Sequence, residues 1–593
     1  MRRSGWVCFA AILAFQSGTA PSAEQADPWW AHSLTYEVYP RSFADSNGDG
    51  VGDLNGITEH LDYLKDLGVD AIWIAPMFPS PQVDFGYDIS DYRSVDPQFG
   101  TLADLDRLQA EAKRRGMRLI LDMVLNHTSD RHQWFVESAS SRDNPRADWY
   151  VWNDGLPVDT PSLAAIQKDY AHDGRVPPNN WTSIFGGSAW EWVPARKQFY
   201  YHMFYKQQPD LNWRNPEVES AMFDVMRFWL DRGIDGFRLD AIQTIYEDPQ
   251  LRDEPKLEST DGSGSPTTDQ IVAAKIHTVD LPELHGLMRR MRALVDSYPG
   301  NRVLIGETYL SNIAQLDQWY GGAAKDELQQ PMNMLIGFGH GATYSANWFR
   351  TAITQSEFEL HGSMPLFVFD NHDNPRSIDR FGDGEHDTAI AKGLAAVLLL
   401  PRAAALTYYG AEIGMRTNTP KRREDVRDPI GIVGWPQVKG RDGERTPMQW
   451  TAGPRAGFSS NPKTWLPVNP DHVTVNVAAE RADPASLYNW NRHLITLRHT
   501  EPALIDGRTV MLDKADPDVL VFARIAPGAR AVIAAINMSA KAHTVVVDRA
   551  AVGKGKLTLL ASSDPQARTE ADAFVLPPFA TIVAAAGNTA AQD

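Results

Sequence analysis

Short apolar runs alternate with amphipathic stretches over most of this chain. The runs at 34–43, 71–78, 118–126, 236–242, 302–308, 366–370 and 405–409 are apolar at successive positions, as strands buried on both faces require. Between them, 101–115, 217–232, 282–298 and 386–399 carry apolar residues at helical spacing. This alternation predicts βα units around a parallel sheet. About eight units close such a sheet into an α/β TIM (β/α)8 barrel. Seven strands are distinct, and the sixth is expected near 332–338.

Two segments break the pattern. From 128 to 201 the chain is rich in Trp, Pro, Asn and Asp with little helical period, which predicts a subdomain inserted after strand three. Beyond a last barrel helix at about 485–499 the period changes to two. Runs at 519–524 and 531–536 flank a Pro527-Gly528 turn, and 574–585 forms a late strand, so 505–593 is expected to be an all-β sandwich. The barrel then comprises 24–127 and 202–504. The Ser-, Gly- and Asp-rich stretch at 256–269 is expected to be a mobile surface loop.

The N-terminus has a different character. Arg2 and Arg3 precede an apolar run at 6–15 and small residues at 17–23, so 1–23 is expected to be a cleaved signal peptide. The run is too short for an ordinary membrane-spanning helix. Cys8, the single cysteine, lies inside it, so the mature secreted or periplasmic chain would hold no disulfide and would depend on a large core. With 57 Lys and Arg against 75 Asp and Glu among 593 residues, the net charge is −18. Such a surface disfavours nucleic acid and anionic membranes as partners. The 18 Trp supply flat apolar faces suited to sugar rings as well as to cores.

Polar groups gather where the strand patterns stop. Strand three ends in Asn126-His127, strand four carries Arg238 and Asp240, strand five ends in Gly306-Glu307, and strand seven runs into Asp370-Asn-His372-Asp373. In a βα barrel these ends converge on one mouth. Any one of these acids alone reads best as a cap or a surface charge, but here four strand ends agree. Glycoside cleavage needs one carboxylate to attack or activate water and one carboxylic acid to protonate the leaving oxygen. Arg238 and Asp240 share a strand face, so the guanidinium is expected to keep Asp240 ionised, while crowding anions favour a proton on Glu307.

The segments Asp122-Met-Val-Leu-Asn-His127, Gly236-Phe-Arg-Leu-Asp240, Gly306-Glu307-Thr-Tyr and Phe369-Asp-Asn-His-Asp373 resemble the α-amylase superfamily, glycoside hydrolase family 13. Gln208-Pro-Asp-Leu-Asn212 is similar to a signature of its oligo-1,6-glucosidase subgroup. The resemblance implies Asp240 as nucleophile, Glu307 as general acid/base and Asp373 as transition-state stabiliser. It places His127, Arg238 and His372 around the sugar. In similar exo-acting α-glucosidases the equivalents of Asp84 and Arg441 pair to close the pocket, with Tyr87 as an aromatic floor. Ala241, after the nucleophile, accompanies α-1,4 preference in related enzymes, where Val accompanies α-1,6. The implied function is retaining exo-hydrolysis of small α-glucosides. Alternatives are glucosyl transfer, cleavage of trehalose or α-1,6 links, and an inert transporter-associated ectodomain, which the presence of all three acids disfavours.

Asp45-Ser-Asn47-Gly-Asp49-Gly-Val51-Gly-Asp53 spaces oxygen donors at alternate positions, with Val51 offering its carbonyl. Gly56 stands where an EF-hand places its bidentate Glu. The resembling glucosidases hold Ca2+ or Mg2+ here in a structural role, so the same cation is expected, away from the mouth.

Overall fold

The computed structural model describes residues 27–161, 163–255, 275–339, 341–513, 515–553 and 556–588. The expected signal peptide and the 256–269 loop lie outside the described residues. Eight parallel strands close into a barrel in sequence order: β1 (Leu34–Val38), β2 (Ala71–Ile74), β3 (Arg118–Val124), β4 (Gly236–Asp240), β5 (Val303–Gly306), β6 (Gln330–Asn333), β7 (Leu366–Val368) and β8 (Ala404–Tyr408). β8 pairs with β1 to complete the ring.

Strand alternation builds two layers of core. Ala71, Trp73, Ile120, Val303, Ile305, Leu366, Val368, Ala404 and Leu406 form one buried cluster, while their neighbours Ile72, Ile74, Leu119, Leu121, Leu304 and Phe367 belong to another that includes the helices. The two sets alternate along each strand, as side chains inside and outside a barrel must. Local chemistry fixes the helices. Thr101 and Asp104 form a capping box ahead of Leu102–Arg114, and Asn215 caps Pro216–Asp231, which has Pro at its first turn.

Three expected strands differ in extent. The sixth covers Gln330–Asn333, and Leu335–Phe338 is a helical turn. Gln330 and Asn333, on opposite faces of this strand, are almost fully buried and bonded to Trp30 O and Ser356 Oγ, so the apolar signal is interrupted where the strand lies. The first strand stops at Val38 because Pro40 opens a helical turn, Pro40–Phe43. The run at 574–585 is two strands, Ala573–Leu576 and Thr581–Asn588, broken at Pro577-Pro578 and placed in different sheets.

The C-terminal region is otherwise the expected pair of antiparallel sheets, one of five strands and one of three, with Val521, Ile533, Phe574 and Ile582 in the core between them. The segment after β3 has its own small core of Trp181, Trp190, Trp192, Phe199 and Tyr201. It rests on a three-stranded sheet of Trp152–Asn153, Gln198–Tyr201 and Trp190–Val193. A bridge between His127 and Asp210 ties the end of this excursion back to the end of β3. Among the described residues no helix is long and apolar enough to cross a membrane.

Candidate active site

β4 brings the first group. Arg238 and Asp240 alternate with Phe237 and Leu239, so both turn to the interior side of the barrel. Arg238 is fully buried, its guanidinium 4.9 Å from the centre of the Trp73 ring. Its Nη1 donates to Asp240 Oδ1 at 2.7 Å and to Asp122 at 3.0 Å, and its Nη2 lies 2.8 Å from Glu307 Oε1. One guanidinium therefore touches carboxylates delivered by β3, β4 and the end of β5. Glu307 is steadied further by the Ala241 amide, which donates to its Oε2 at 3.0 Å. Ala241 adopts φ 47° to present that amide, a left-handed conformation uncommon for a residue with a Cβ. The Asp240 and Glu307 side chains are each 11% exposed, so both open to the mouth.

Three carboxylates share this single cation, and the electrostatics follow. Burial raises the Asp240 carboxyl well above its ordinary value; Arg238 opposes this, while Glu307, Asp122 and Asp373 add to it. Burial likewise pushes Asp122 up to about 6 despite Arg238. Arg238 favours the ionised Asp240 as expected, but its pull is divided among three acids and burial works against it.

Asp373 lies in the opposite environment. Its carboxylate accepts from Arg441 at 2.9 Å and Arg445 at 2.7 Å, and its Oδ2 is 3.2 Å from His372 Nε2. Burial alone would raise it, but His372, Arg441 and Arg445 outweigh burial and hold it far below the carboxylate range. Arg441 is itself clamped. It donates to Asp84 Oδ1 at 2.7 Å and through Nε to Asp428 Oδ2 at 2.9 Å. Asp84 and Asp428 are both buried, and Phe185 from the inserted segment lies 5.8 Å from the guanidinium.

The remaining groups line the wall. Tyr87 is buried with its ring stacked on His372 at 5.3 Å, and its hydroxyl reaches His372 Nε2 at 2.7 Å and Asp122 at 3.3 Å. His127 is buried at the end of β3, where dehydration lowers it to about 3 and keeps the imidazole neutral at ordinary pH. Gln208 joins it to Asp84, with Nε2 3.1 Å from His127 Nε2 and 3.2 Å from Asp84 Oδ2. The structure thus gathers Asp84, Tyr87, His127, Arg238, Asp240, Glu307, His372, Asp373 and Arg441 at one mouth. Sequence reasoning did not single out Asp122, Gln208, Asp428 or Arg445. Asp122 and Gln208 opened motifs already noted and Arg445 follows Arg441 by four residues, so those three had a signal; Asp428 had none.

The 45–53 loop is separate from this mouth. Asp45 accepts from the Gly48 and Gly50 amides, Asn47 from Asp49, Asp49 from Val51, and Asp53 from Ser46 and Gly56. These Asx-type bonds close the loop by themselves. Among the described residues, no group of three or more His, Cys, Asp or Glu side chains converges as a metal site. The donors are oxygen only, which suits a hard cation in kind.

Comparison with known proteins gives a consistent result. The family described as alpha amylase, catalytic domain, matches residues 37–507. A probable alpha-glucosidase of Rhizobium meliloti (strain 1021) is 42% identical over 537 residues, covering 89% of this chain and 92% of that protein. Maltase 1 of Drosophila virilis is 40% identical, covering 90% and 82%. The crystal structure of XgtA, an alpha-glucosyl transfer enzyme, superposes with TM-score 0.82 at 40% identity, covering 95% of this chain and all of that one.

The division of Arg238 among three acids has a measurable consequence. Arg238 lowers Asp240, so Arg238→Gln removes a brake on protonation and should move the acid limb of the kcat/KM–pH profile to higher pH. It should also reduce kcat on the order of 10²-fold. An acid limb that stays in place or moves to lower pH contradicts this electrostatic account.

Proposed function

The chain belongs to the α-amylase family, and from that premise we propose that it is a retaining exo-α-glucosidase. It is a glycoside hydrolase by family and by its α-glucosidase and maltase relatives. The substrate proposed is the terminal non-reducing glucose of maltose and short malto-oligosaccharides. The observation that carries this reading is the Arg238 bridge, which sets Asp240 and Glu307 side by side at an open mouth. Retaining hydrolysis uses two closely spaced carboxyl groups, whereas inversion needs room between them for a water.

In the first step Asp240 attacks the anomeric carbon as Glu307 gives its proton to the departing glycosidic oxygen. The glucosyl ester on Asp240 is then hydrolysed: Glu307 takes a proton from water, the water oxygen bonds the anomeric carbon, and Asp240 leaves as carboxylate. Asp373, kept ionised by its cations, accepts hydrogen bonds from the sugar that strengthen as the ring flattens. The Asp84–Arg441–Asp428 clamp and the Phe185 wall support a pocket closed at one end, which admits a chain terminus. The same ester can be intercepted by a sugar hydroxyl, and the likeness to an α-glucosyl transfer enzyme makes transfer the second reading.

Two further proposals complete it. Ala241 supports a preference for α-1,4 links, since a small side chain beside the nucleophile leaves room for the leaving sugar. The 45–53 loop is proposed to take Ca2+ or Mg2+ through Asp45, Asn47, Asp49, Asp53 and the Val51 carbonyl, holding the loop against Ser459 and Asn461 of the segment that packs on it.

Proton NMR of p-nitrophenyl α-glucoside hydrolysis should show the α-anomer of glucose released first, and Asp240→Ala should abolish that release; first release of the β-anomer, or an active Asp240→Ala enzyme, removes the proposed mechanism. Ala241→Val should raise the isomaltose-to-maltose ratio of kcat/KM within the ~1–3 kcal/mol that one methylene-scale change can discriminate. An unchanged ratio counts against the linkage preference. A chelator should lower Tm while leaving kcat/KM unaltered well below the transition, and an unmoved Tm would discount the cation.

A further inference from the structure

One buried acid at the barrel mouth has no part in the chemistry above. Glu37 is the fourth residue of β1, fully buried, and on the interior side of the strand. Its Oε1 lies 2.5 Å from His372 Nδ1, and its Oε2 has no hydrogen-bond partner among the described residues. The His372 ring is held between Tyr39 at 5.7 Å and Tyr87 at 5.3 Å, tilted from them by 14° and 11°. The ring cannot turn to exchange its nitrogens. Its Nε2 lies 2.7 Å from the Tyr87 hydroxyl and 3.2 Å from Asp373 Oδ2.

A neutral imidazole carries one N–H, and the partner of one nitrogen decides where it sits. A Glu37 carboxylate would draw the hydrogen to Nδ1 and leave an Nε2 lone pair beside the Asp373 carboxylate, which the Tyr87 hydroxyl could cover only by giving up its bond to Asp122. A Glu37 carboxylic acid donates to Nδ1 and leaves Nε2–H free for Asp373. Carboxylate with imidazolium would also supply Nε2–H, but it separates charge in a dry cavity. Burial favours the neutral pair from both sides, raising Glu37 and lowering His372. The charged groups facing Glu37 are Arg238, Asp373 and Asp122, and those facing His372 are Asp373, Arg445, Arg238 and Arg441. An acid that keeps its proton also leaves one oxygen without a donor at lower cost than a carboxylate would.

We propose that Glu37 is a positioning residue, donating a hydrogen bond to His372 Nδ1 and so fixing the ring as an Nε2–H donor toward Asp373 and a hydroxyl of the bound sugar. The sugar contact rests on the glucosidase reading; the tautomer does not. Asp373 then keeps its orientation through Nε2–H as well as through Arg441 and Arg445, while the floor of the pocket gains no charge.

The test is nitrogen-15 NMR of histidine-labelled protein at neutral pH, with the His372 signals assigned by His372→Gln. The wild-type ring should show a protonated Nε2 and a bare Nδ1. Glu37→Gln, whose amide can also donate to Nδ1, should keep that pattern and a kcat close to wild type. Glu37→Met, of similar length but without a donor, should lose it, with kcat down about 10–100-fold, the scale of an outer-shell orienting contact. A wild-type ring with Nδ1–H or in the imidazolium form would overturn the proposal. So would a Glu37→Gln loss as large as that of Glu37→Met, or a Glu37→Met protein unchanged in both readouts. If Glu37→Met does not fold, the wild-type and Glu37→Gln spectra decide alone. The spectra need no turnover, so a correct tautomer in a protein inactive on glucosides would fault the hydrolase reading and leave this one standing.

Discussion

The Arg238 guanidinium is the contact around which this molecule is arranged. It is buried, it lies against Trp73, and it reaches Asp122, Asp240 and Glu307 from three adjacent strands. Removing one partner of a buried ion pair costs about 3–5 kcal/mol because the other charge is left without compensation. Here the cost would fall on three acids together. The barrel supplies the rigid frame, since β3, β4 and β5 are neighbours in the ring and their C-terminal ends cannot move apart without breaking the sheet. The same frame explains how several acids persist within one dry site: each is held by the backbone of its own strand, and burial, with the neighbouring acids adding to it, raises the proton affinity of Asp240 and Asp122.

A second cation does different work. Arg441 fixes Asp84, Asp373 and Asp428 at the rim and, with Arg445, keeps Asp373 ionised. The mouth is thus divided by charge. Around Arg238, acids outnumber cations and burial raises Asp122 and Asp240; around Asp373, Arg441 and Arg445 favour the anion. Adjacent carboxyl groups held in unlike environments are what acid/base and electrostatic roles at one site require. The inserted segment contributes Phe185 beside Arg441, and the chain that follows it supplies Gln208, which joins Asp84 with His127. The closure proposed for the pocket would accordingly be a joint property of the barrel and its insertion.

Much of this was legible in the sequence, and the gaps have physical causes. Apolar runs exposed seven strands because a parallel barrel buries both faces of each. The sixth was displaced because Gln330 and Asn333 satisfy their amides internally, which hydropathy cannot detect. The break at Pro577-Pro578 was passed over because apolar residues continue on both sides. At the site, the acids at strand ends were identifiable from where the patterns stopped. Glu37 was not, because it sits within an apolar run and its role depends on a histidine 335 positions away. Asp428 lies in a loop without motif, and only folding places it against Arg441. The sharing of Arg238 among Asp122, Asp240 and Glu307 was also invisible, since only folding brings the three acids to one guanidinium.

In the proposed double displacement, the acids bridged by Arg238 are the nucleophile and the proton donor. This assignment is tested most directly by treating Glu307→Gln with an activated α-glucosyl fluoride, whose leaving group needs no proton, and reading the trapped adduct by peptide mass spectrometry. One added glucosyl unit, located on Asp240, is expected. A glucosyl unit on another residue, or none while fluoride is released with inverted product, would contradict it.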